Sequence, residues 1–178
     1  MKSSLIILFT ISIVLIGCGS KQLDKQTAIE IIKKNAGYPL TLDRDIYCSD
    51  PEHARKLQAA GLDKNGLVTV LQMQKLSDAG KPLIQFTAKA QPYLLATPAK
   101  DKTLGIQKVK LADEDIAEVI SIQDDESTKT KLVEYTTTYK NVSPFAALVN
   151  QDFTVFKKHK SYLSLRDGSW QVENRMGH

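Results

Sequence analysis

The sequence predicts an α+β protein, with helices and a hairpin in its first half and a curved antiparallel sheet in its second. Before Thr97 the apolar residues recur mostly at helical spacing and are interrupted by glycine and proline. After Thr103 they alternate with polar residues over long stretches, as in strands with one buried face. Contents of 42% hydrophobic and 25% charged residues are typical of a folded globular chain.

Two helices are predicted in the first half. Thr27 and Glu30 have the spacing of a capping box, and the apolar residues that follow form one stripe up to Gly37. A second helix is predicted to begin at Ser49, with Pro51 in its first turn. Because isolated short helices are marginal, each must pack against the rest of the protein.

A hairpin is predicted after the second helix. Its strands are residues 67–71 and 83–87, and its loop is residues 77–80. A helix that ends at Gly61, followed by this hairpin, resembles the wing of a winged-helix domain over about residues 50–95. Because a winged helix usually has two helices before the wing and one is evident here, DNA recognition is not expected. The alternative is an ordinary α+β subdomain with a hairpin.

Five strands are predicted in the second half, over residues 106–112, 116–122, 131–142, 153–165 and 170–172. The acidic runs Asp113–Asp115 and Asp124–Glu126 fall between strands and are interpreted as solvated turns. Phe145 and Leu148 lie at helical spacing, which predicts a short helical turn packed under the sheet.

This arrangement is similar to the curved sheets of cystatin-like and NTF2-like folds. If the fold is NTF2-like, the resemblance implies a concave face that forms a pocket. Four aromatic residues would be its walls: Tyr135, Tyr139, Tyr162 and Trp170. The alternative is that these aromatic residues fill the core of a half-buried sheet.

The first eighteen residues carry the strongest local signal. Lys2 precedes an apolar run over residues 5–16, which fits a secretory signal and is too short to span a bilayer comfortably. Residues 15–18, with the sequence LIGC, resemble the lipobox of bacterial lipoproteins. The resemblance implies that Cys18 becomes the acylated first residue of the mature chain at the bacterial cell envelope. In a Gram-negative cell, the periplasmic side of the outer membrane is favoured over the inner membrane.

These signals divide the chain into five segments. Residues 1–17 are the signal peptide, and residues 18–25 are the lipid anchor and tether. Residues 26–96 form the winged-helix-like α+β subdomain, and residues 105–178 form the antiparallel sheet subdomain. The polar stretch of residues 97–104 contains a proline and is interpreted as the linker between them.

The charge of the mature chain is weak. Removal of the signal leaves 24 − 1 = 23 basic residues against 20 acidic ones, a net charge near +3. This charge and the exported location argue against nucleic acid as a partner. Four lysines recur on predicted strands and are expected to form a basic face toward the membrane: Lys108, Lys110, Lys158 and Lys160. The alternative is a solvated sheet face with edge-protecting lysines.

No catalytic residue, metal site or cofactor is predicted. The three histidines are scattered, and Cys48 is the one cysteine left after acylation and is expected to be buried. No nucleophile elbow or phosphate-binding loop occurs in the sequence. The sequence favours a non-catalytic binding or assembly module, held to the bilayer by Cys18 and in contact with an envelope protein. The alternative is a small-molecule carrier or an enzyme that uses a concave sheet pocket.

Overall fold

The computed structural model describes residues 22–71 and 81–173. Cys18, the predicted signal and the predicted hairpin loop lie outside these residues. The α+β fold class is confirmed, because helices combine with a strongly curled five-stranded antiparallel sheet. The helices are α1 (Lys25–Ala36), α2 (Pro51–Ala59) and α3 (Ala99–Thr103), with 3₁₀ helices at Ala88–Tyr93 and Pro144–Leu148. The strands are β1 (Leu40–Tyr47), β2 (Val68–Val70), β3 (Ile84–Phe86), β4 (Ile106–Asp125), β5 (Thr130–Lys140), β6 (Lys157–Arg166) and β7 (Ser169–Val172).

The main sheet has the strand order β1-β4-β5-β6-β7, and every neighbouring pair is antiparallel. β2 and β3 form the separate hairpin that the sequence predicts. β1 precedes the predicted linker but pairs with β4 after it, from Leu40 opposite Glu114 to Tyr47 opposite Ile106. Within that linker, residues 99–103 form α3. One sheet therefore contains strands from both halves of the chain.

The hydrophobic core covers one face of the main sheet. The 3₁₀ helix at Pro144–Leu148 contributes the fully buried Phe145 to a cluster with Val109 of β4, and α2 and the hairpin belong to the same cluster. α1 contributes Ile32 to a second cluster, which includes Val133 of β5. Alternate residues of a strand lie on the same face of the sheet, and residues paired across strands share a face. By this rule the sheet residues of both clusters lie on one face. The opposite face carries polar and charged side chains.

The helix starts differ from the prediction by one to three residues. α1 is capped by Asp24, whose Oδ1 accepts the backbone N–H of Thr27 at 2.8 Å. α2 is capped by Asp50, whose carboxylate accepts a backbone N–H of the first turn at 2.7 Å. The predicted caps Thr27 and Ser49 are therefore wrong. A carboxylate is favoured at this position because its charge interacts with the positive end of the helix dipole.

The largest departure from the prediction is β4. The sequence predicts two strands separated by a solvated turn at Asp113–Asp115, but one strand runs from Ile106 to Asp125. The three acids lie in the middle of β4 and pair with residues 138–140 at the end of β5, and each is at most 9% exposed. The solvated-turn interpretation of this run is wrong because lysines from three other places in the fold, and Lys110 of β4 itself, form ion pairs with it.

Other local predictions have mixed outcomes. A turn follows the run Asp124–Glu126, but it begins only at Glu126, because Asp124 and Asp125 are the last two residues of β4 and pair with β5. The helical turn under the sheet is the 3₁₀ helix at Pro144–Leu148. The strand predicted from Phe153 begins only at Lys157. Cys48 is half-buried rather than buried, and it packs against the cluster that contains Phe145.

The described fold begins with a packed side chain five positions after Cys18 in the sequence. Leu23 is 5% exposed and belongs to the cluster under α1. Asp24 follows it as the helix cap, so the last residues of the predicted tether 18–25 belong to the fold. Among the described residues, no helix has both the length and the apolar content that a membrane span requires.

Candidate functional site

A chain of hydrogen bonds connects β4, β5 and β6 inside the sheet. Thr137 is 1% exposed, and its Oγ1 donates to Glu114 Oε1 at 2.6 Å. The Nε2 atom of His159 lies 3.0 Å from the same hydroxyl. Because the single hydroxyl proton of Thr137 is used on the carboxylate, Nε2 of His159 must donate to Thr137. Lys157 completes the surroundings, with Nζ 3.4 Å from Glu114 Oε2.

This order of groups does not make Thr137 a nucleophile. In a hydrolytic triad the imidazole accepts the hydroxyl proton and the carboxylate orients the imidazole. Here the hydroxyl lies between the carboxylate and the imidazole and gives its proton to the carboxylate. Among the described residues, no group of three or more histidine, cysteine or acidic side chains could hold a metal ion. The hydrogen bonds of Glu114, Thr137 and His159 connect β4, β5 and β6 through their side chains.

Aromatic rings support the imidazole. The ring of His159 stacks on Tyr135, with centroids 5.2 Å apart and planes 23° apart. The phenol of Tyr135 is hydrogen-bonded to that of Tyr38. Burial raises the pKa of both tyrosines, and the negative charge of Glu114 adds to the effect. Both phenols therefore stay neutral. The stacked rings of His159 and Tyr135 and the hydrogen-bonded Tyr38 form one group of side chains.

The two aspartates of the buried run stay ionised. The hydrogen bond from Lys110 is the main cause that lowers the pKa of Asp113, with further hydrogen bonds from Asn141 and Thr41. Burial alone would raise the pKa of Asp115, but hydrogen bonds from Lys33 and Lys140 outweigh it and the pKa is lowered. The bond from Lys33, at 2.8–3.0 Å, also ties α1 to β4.

The four lysines predicted as a basic face are on the same sheet face, opposite the core, by the cross-strand register. Lys108 and Lys110 lie beside β1, whereas Lys158 and Lys160 lie farther along the sheet on β6. Carboxylates share that face. Lys108 lies 2.8 Å from Asp45 and 3.3 Å from Asp43, and Lys110 pairs with Asp113. Lys160 pairs with Glu134 at 3.1 Å, whereas Lys158 has no ion pair within the described part of the chain. The orientation of these lysines toward a membrane stays a prediction.

A cavity of about 370 Å³ is lined by residues of β4, β5 and β6. It is lined by Ile120 of β4, Glu134 and Tyr135 of β5, and Lys158, His159 and Lys160 of β6. We call it the Lys158 cavity. The sequence patterns did not point to Glu134 or Ile120. The position of Glu134 depends on strand pairing, and Ile120 lies within a register shift of β4, between the paired residues Val119 and Ser121. The alternation of Lys158 and Lys160 was the one signal that pointed to the cavity.

The four aromatic residues predicted as pocket walls separate in the structure. Tyr135 lines the Lys158 cavity, and Trp170 lines another cavity of about 300 Å³ beside the β4–β5 turn. Tyr139 is buried, packs edge-on against Phe153 at 5.1 Å and has the Lys157 ammonium 4.9 Å from its ring centre. Tyr162 is half-buried on β6. These residues do not converge on one pocket.

The Lys158 cavity lies where the chain enters the fold. Lys25, the first residue of α1, donates from Nζ to the carbonyl oxygen of Ile120 at 3.1 Å. Leu23, two residues earlier, is packed in the cluster that also contains Tyr135. The N-terminal end of the described chain is therefore adjacent to the cavity lining.

In comparisons with known proteins, no family model matches the chain, and no curated protein or solved structure matches it. Functional reasoning therefore depends on the geometry of the described residues and on the sequence that precedes them.

Proposed function

We propose that this chain is a bacterial envelope lipoprotein, anchored in the bilayer by acylated Cys18, whose folded part is a non-catalytic binding or assembly module. The observation that carries the proposal is the distance in sequence between the lipobox-like motif and the fold. Leu23 is already packed in the core, five residues after Cys18. The partners are the bilayer and an envelope protein.

The short connection supports work close to the membrane. Residues 19–22 lie between Cys18 and the first packed side chain. Four extended residues reach about 13–14 Å at 3.3–3.6 Å each. Two or more acyl chains anchor a protein stably, where one gives only reversible binding. The folded part would therefore stay within reach of the headgroups of the same bilayer.

The internal network supports a module without catalysis. Thr137 is buried and donates its hydroxyl proton to Glu114, so His159 does not accept that proton as the base of a catalytic pair would. The charges of the buried acidic run are used in ion pairs with Lys33, Lys110 and other lysines. These groups stabilise the sheet, which leaves its charged face and its end cavity for contact with other molecules.

The first prediction tests the anchor. Cys18→Ser should move the protein from a salt-washed membrane pellet to the soluble fraction, because the site of acylation is lost. Cys48→Ser is the matched control and should remain in the pellet. A form exported by an ordinary cleavable signal and starting at Gly19 separates acyl anchoring from retention of an uncleaved signal. If that form still pellets after the wash, the anchor proposal is wrong.

A further inference from the structure

We propose that the Lys158 cavity binds a phosphodiester group, the chemistry of a phospholipid headgroup and of its soluble glycerol derivatives. The idea rests on the proposed function for where the ligand comes from, because a membrane anchor would keep the cavity near headgroups. The volume of about 370 Å³ is suited to a phosphate with a small polar substituent and is at the lower end for ligand pockets.

The charges in the cavity favour a single negative charge on the ligand. Lys158 and Lys160 contribute two positive charges and Glu134 one negative charge, so these three side chains sum to 2 − 1 = +1. A phosphodiester carries one negative charge, so it balances this set. Lysine ammonium groups bind phosphate oxygens as compact point charges. The ion pair of Lys160 with Glu134, at 3.1 Å, holds one ammonium in place while Lys158 is left for the ligand.

A buried hydroxyl on β5, directly opposite Lys158 of β6, is an independent observation. Thr136 is 6% exposed, and its Oγ1 has no hydrogen-bond partner among the described residues. It lies directly opposite Lys158 in the β5–β6 register and on the same face as Glu134. An unpaired buried hydroxyl is unfavourable, and a ligand oxygen held by Lys158 would give it a partner.

The remaining lining includes an apolar residue next to the N-terminal end of the described chain. Ile120 is apolar and 41% exposed, so the cavity has a hydrophobic lip beside its two lysines. The carbonyl of the same residue is held by Lys25 at the start of α1. A lipid headgroup can therefore meet the lysines while its glycerol carbons contact Ile120, on the side where the chain comes from its anchor.

The test uses the full acylated chain in micelles of a neutral detergent at about 0.15 M salt, where screening acts beyond about 8 Å. Glycerophosphoglycerol is titrated as the soluble diester, and glycerol as the uncharged control. In a second arm, the micelles contain phosphatidylglycerol or zwitterionic phosphatidylcholine. We expect saturable amide chemical-shift changes at Glu134–Thr136 and Lys158–Lys160 with the diester. Preference for phosphatidylglycerol identifies the lipid as the source, and binding of the soluble diester alone identifies a soluble source.

Three variants distinguish a specific binding site from non-specific attraction between the positive face and the ligand. Lys158→Gln should weaken binding about tenfold, and Thr136→Val should weaken it about threefold without a change in charge. Lys108→Gln removes the same charge from the same face and should leave affinity within about twofold. Equal weakening by Lys158→Gln and Lys108→Gln, or the absence of localised shifts in both arms, would overturn the site. Failure of the Cys18 experiment with intact diester binding would overturn the anchor and leave the site standing.

Discussion

Thr137 is the residue through which a buried carboxylate on β4 and an imidazole on β6 are joined. Thr137→Val keeps the shape of the side chain but leaves Glu114 without its 2.6 Å donor. Removing one partner of a buried charged group costs about 1–3 kcal/mol of unfolding free energy, which urea denaturation measures. Thr138→Val, at the half-exposed next position, should change stability by no more than about 0.5 kcal/mol. Equal effects of the two changes would contradict a role for the Glu114–Thr137 bond.

The reactivity of the Cys48 thiol measures how well this side chain is buried in the folded protein. Burial raises the pKa of its thiol, and the side chain packs against the cluster that contains Phe145. Because the thiolate is the reactive form, a maleimide should label the folded chain more slowly than the urea-unfolded chain at neutral pH. The rate should rise as the pH is raised and the thiolate forms. The form starting at Gly19 contains this thiol alone, and equal rates in folded and unfolded protein would contradict burial.

At the scale of the secondary-structure element, the aspartates of β4 make the stability of the fold depend on pH in the acidic range. The pKa values of Asp113 and Asp115 are lowered from 3.8 in the folded protein, so the ionised forms stabilise the fold. This contribution is fully present well above pH 3.8 and is lost as the pH falls through the lowered folded pKa values. The free energy of unfolding should therefore decrease from about pH 5 downward. Asp113→Asn should flatten that decrease.

Asp167→Asn is the matched control for this pH dependence. Asp167 lies in the exposed β6–β7 turn with a φ of 49°, a conformation that asparagine adopts readily. It removes an exposed carboxylate that takes no part in the ion pairs of the β4 acids, so the decrease of stability in acid that those ion pairs cause should remain. Identical slopes for Asp113→Asn and the wild type would show that the Asp113 ion pair contributes nothing measurable.

β4 also shows how far the sequence could predict the sheet. The alternation of apolar and polar residues correctly located its two halves. Three consecutive acids normally indicate a turn, and the lysines that neutralise them come from α1, β5 and β6, at separations that local patterns do not reveal. Period-two counting likewise found Lys158 and Lys160 but not Glu134, because charge on a sheet face depends on strand pairing.

For the whole molecule, the sequence predicted the fold class but not the pairing of β1 with β4. Helix spacing and strand alternation are local properties, so α1, α2, the hairpin and the second-half strands could be recognised. The pairing of β1 with β4 joins residues that are between 106 − 47 = 59 and 114 − 40 = 74 positions apart and has no local signature. The same limit applies to the contact of Lys25 with Ile120, because of which the Lys158 cavity lies next to the N-terminal end of the described chain.

Mass spectrometry of the N-terminal peptide from the native membrane fraction tests the lipoprotein proposal most directly. Trypsin should release residues 18–21, because Lys21 is the first cleavage site after the lipobox-like motif. We expect a peptide that begins at Cys18 and carries the mass of its acyl groups, and a shift of that mass after ester hydrolysis. An unmodified Cys18, or a mature chain that begins at any other residue, would contradict the lipid anchor.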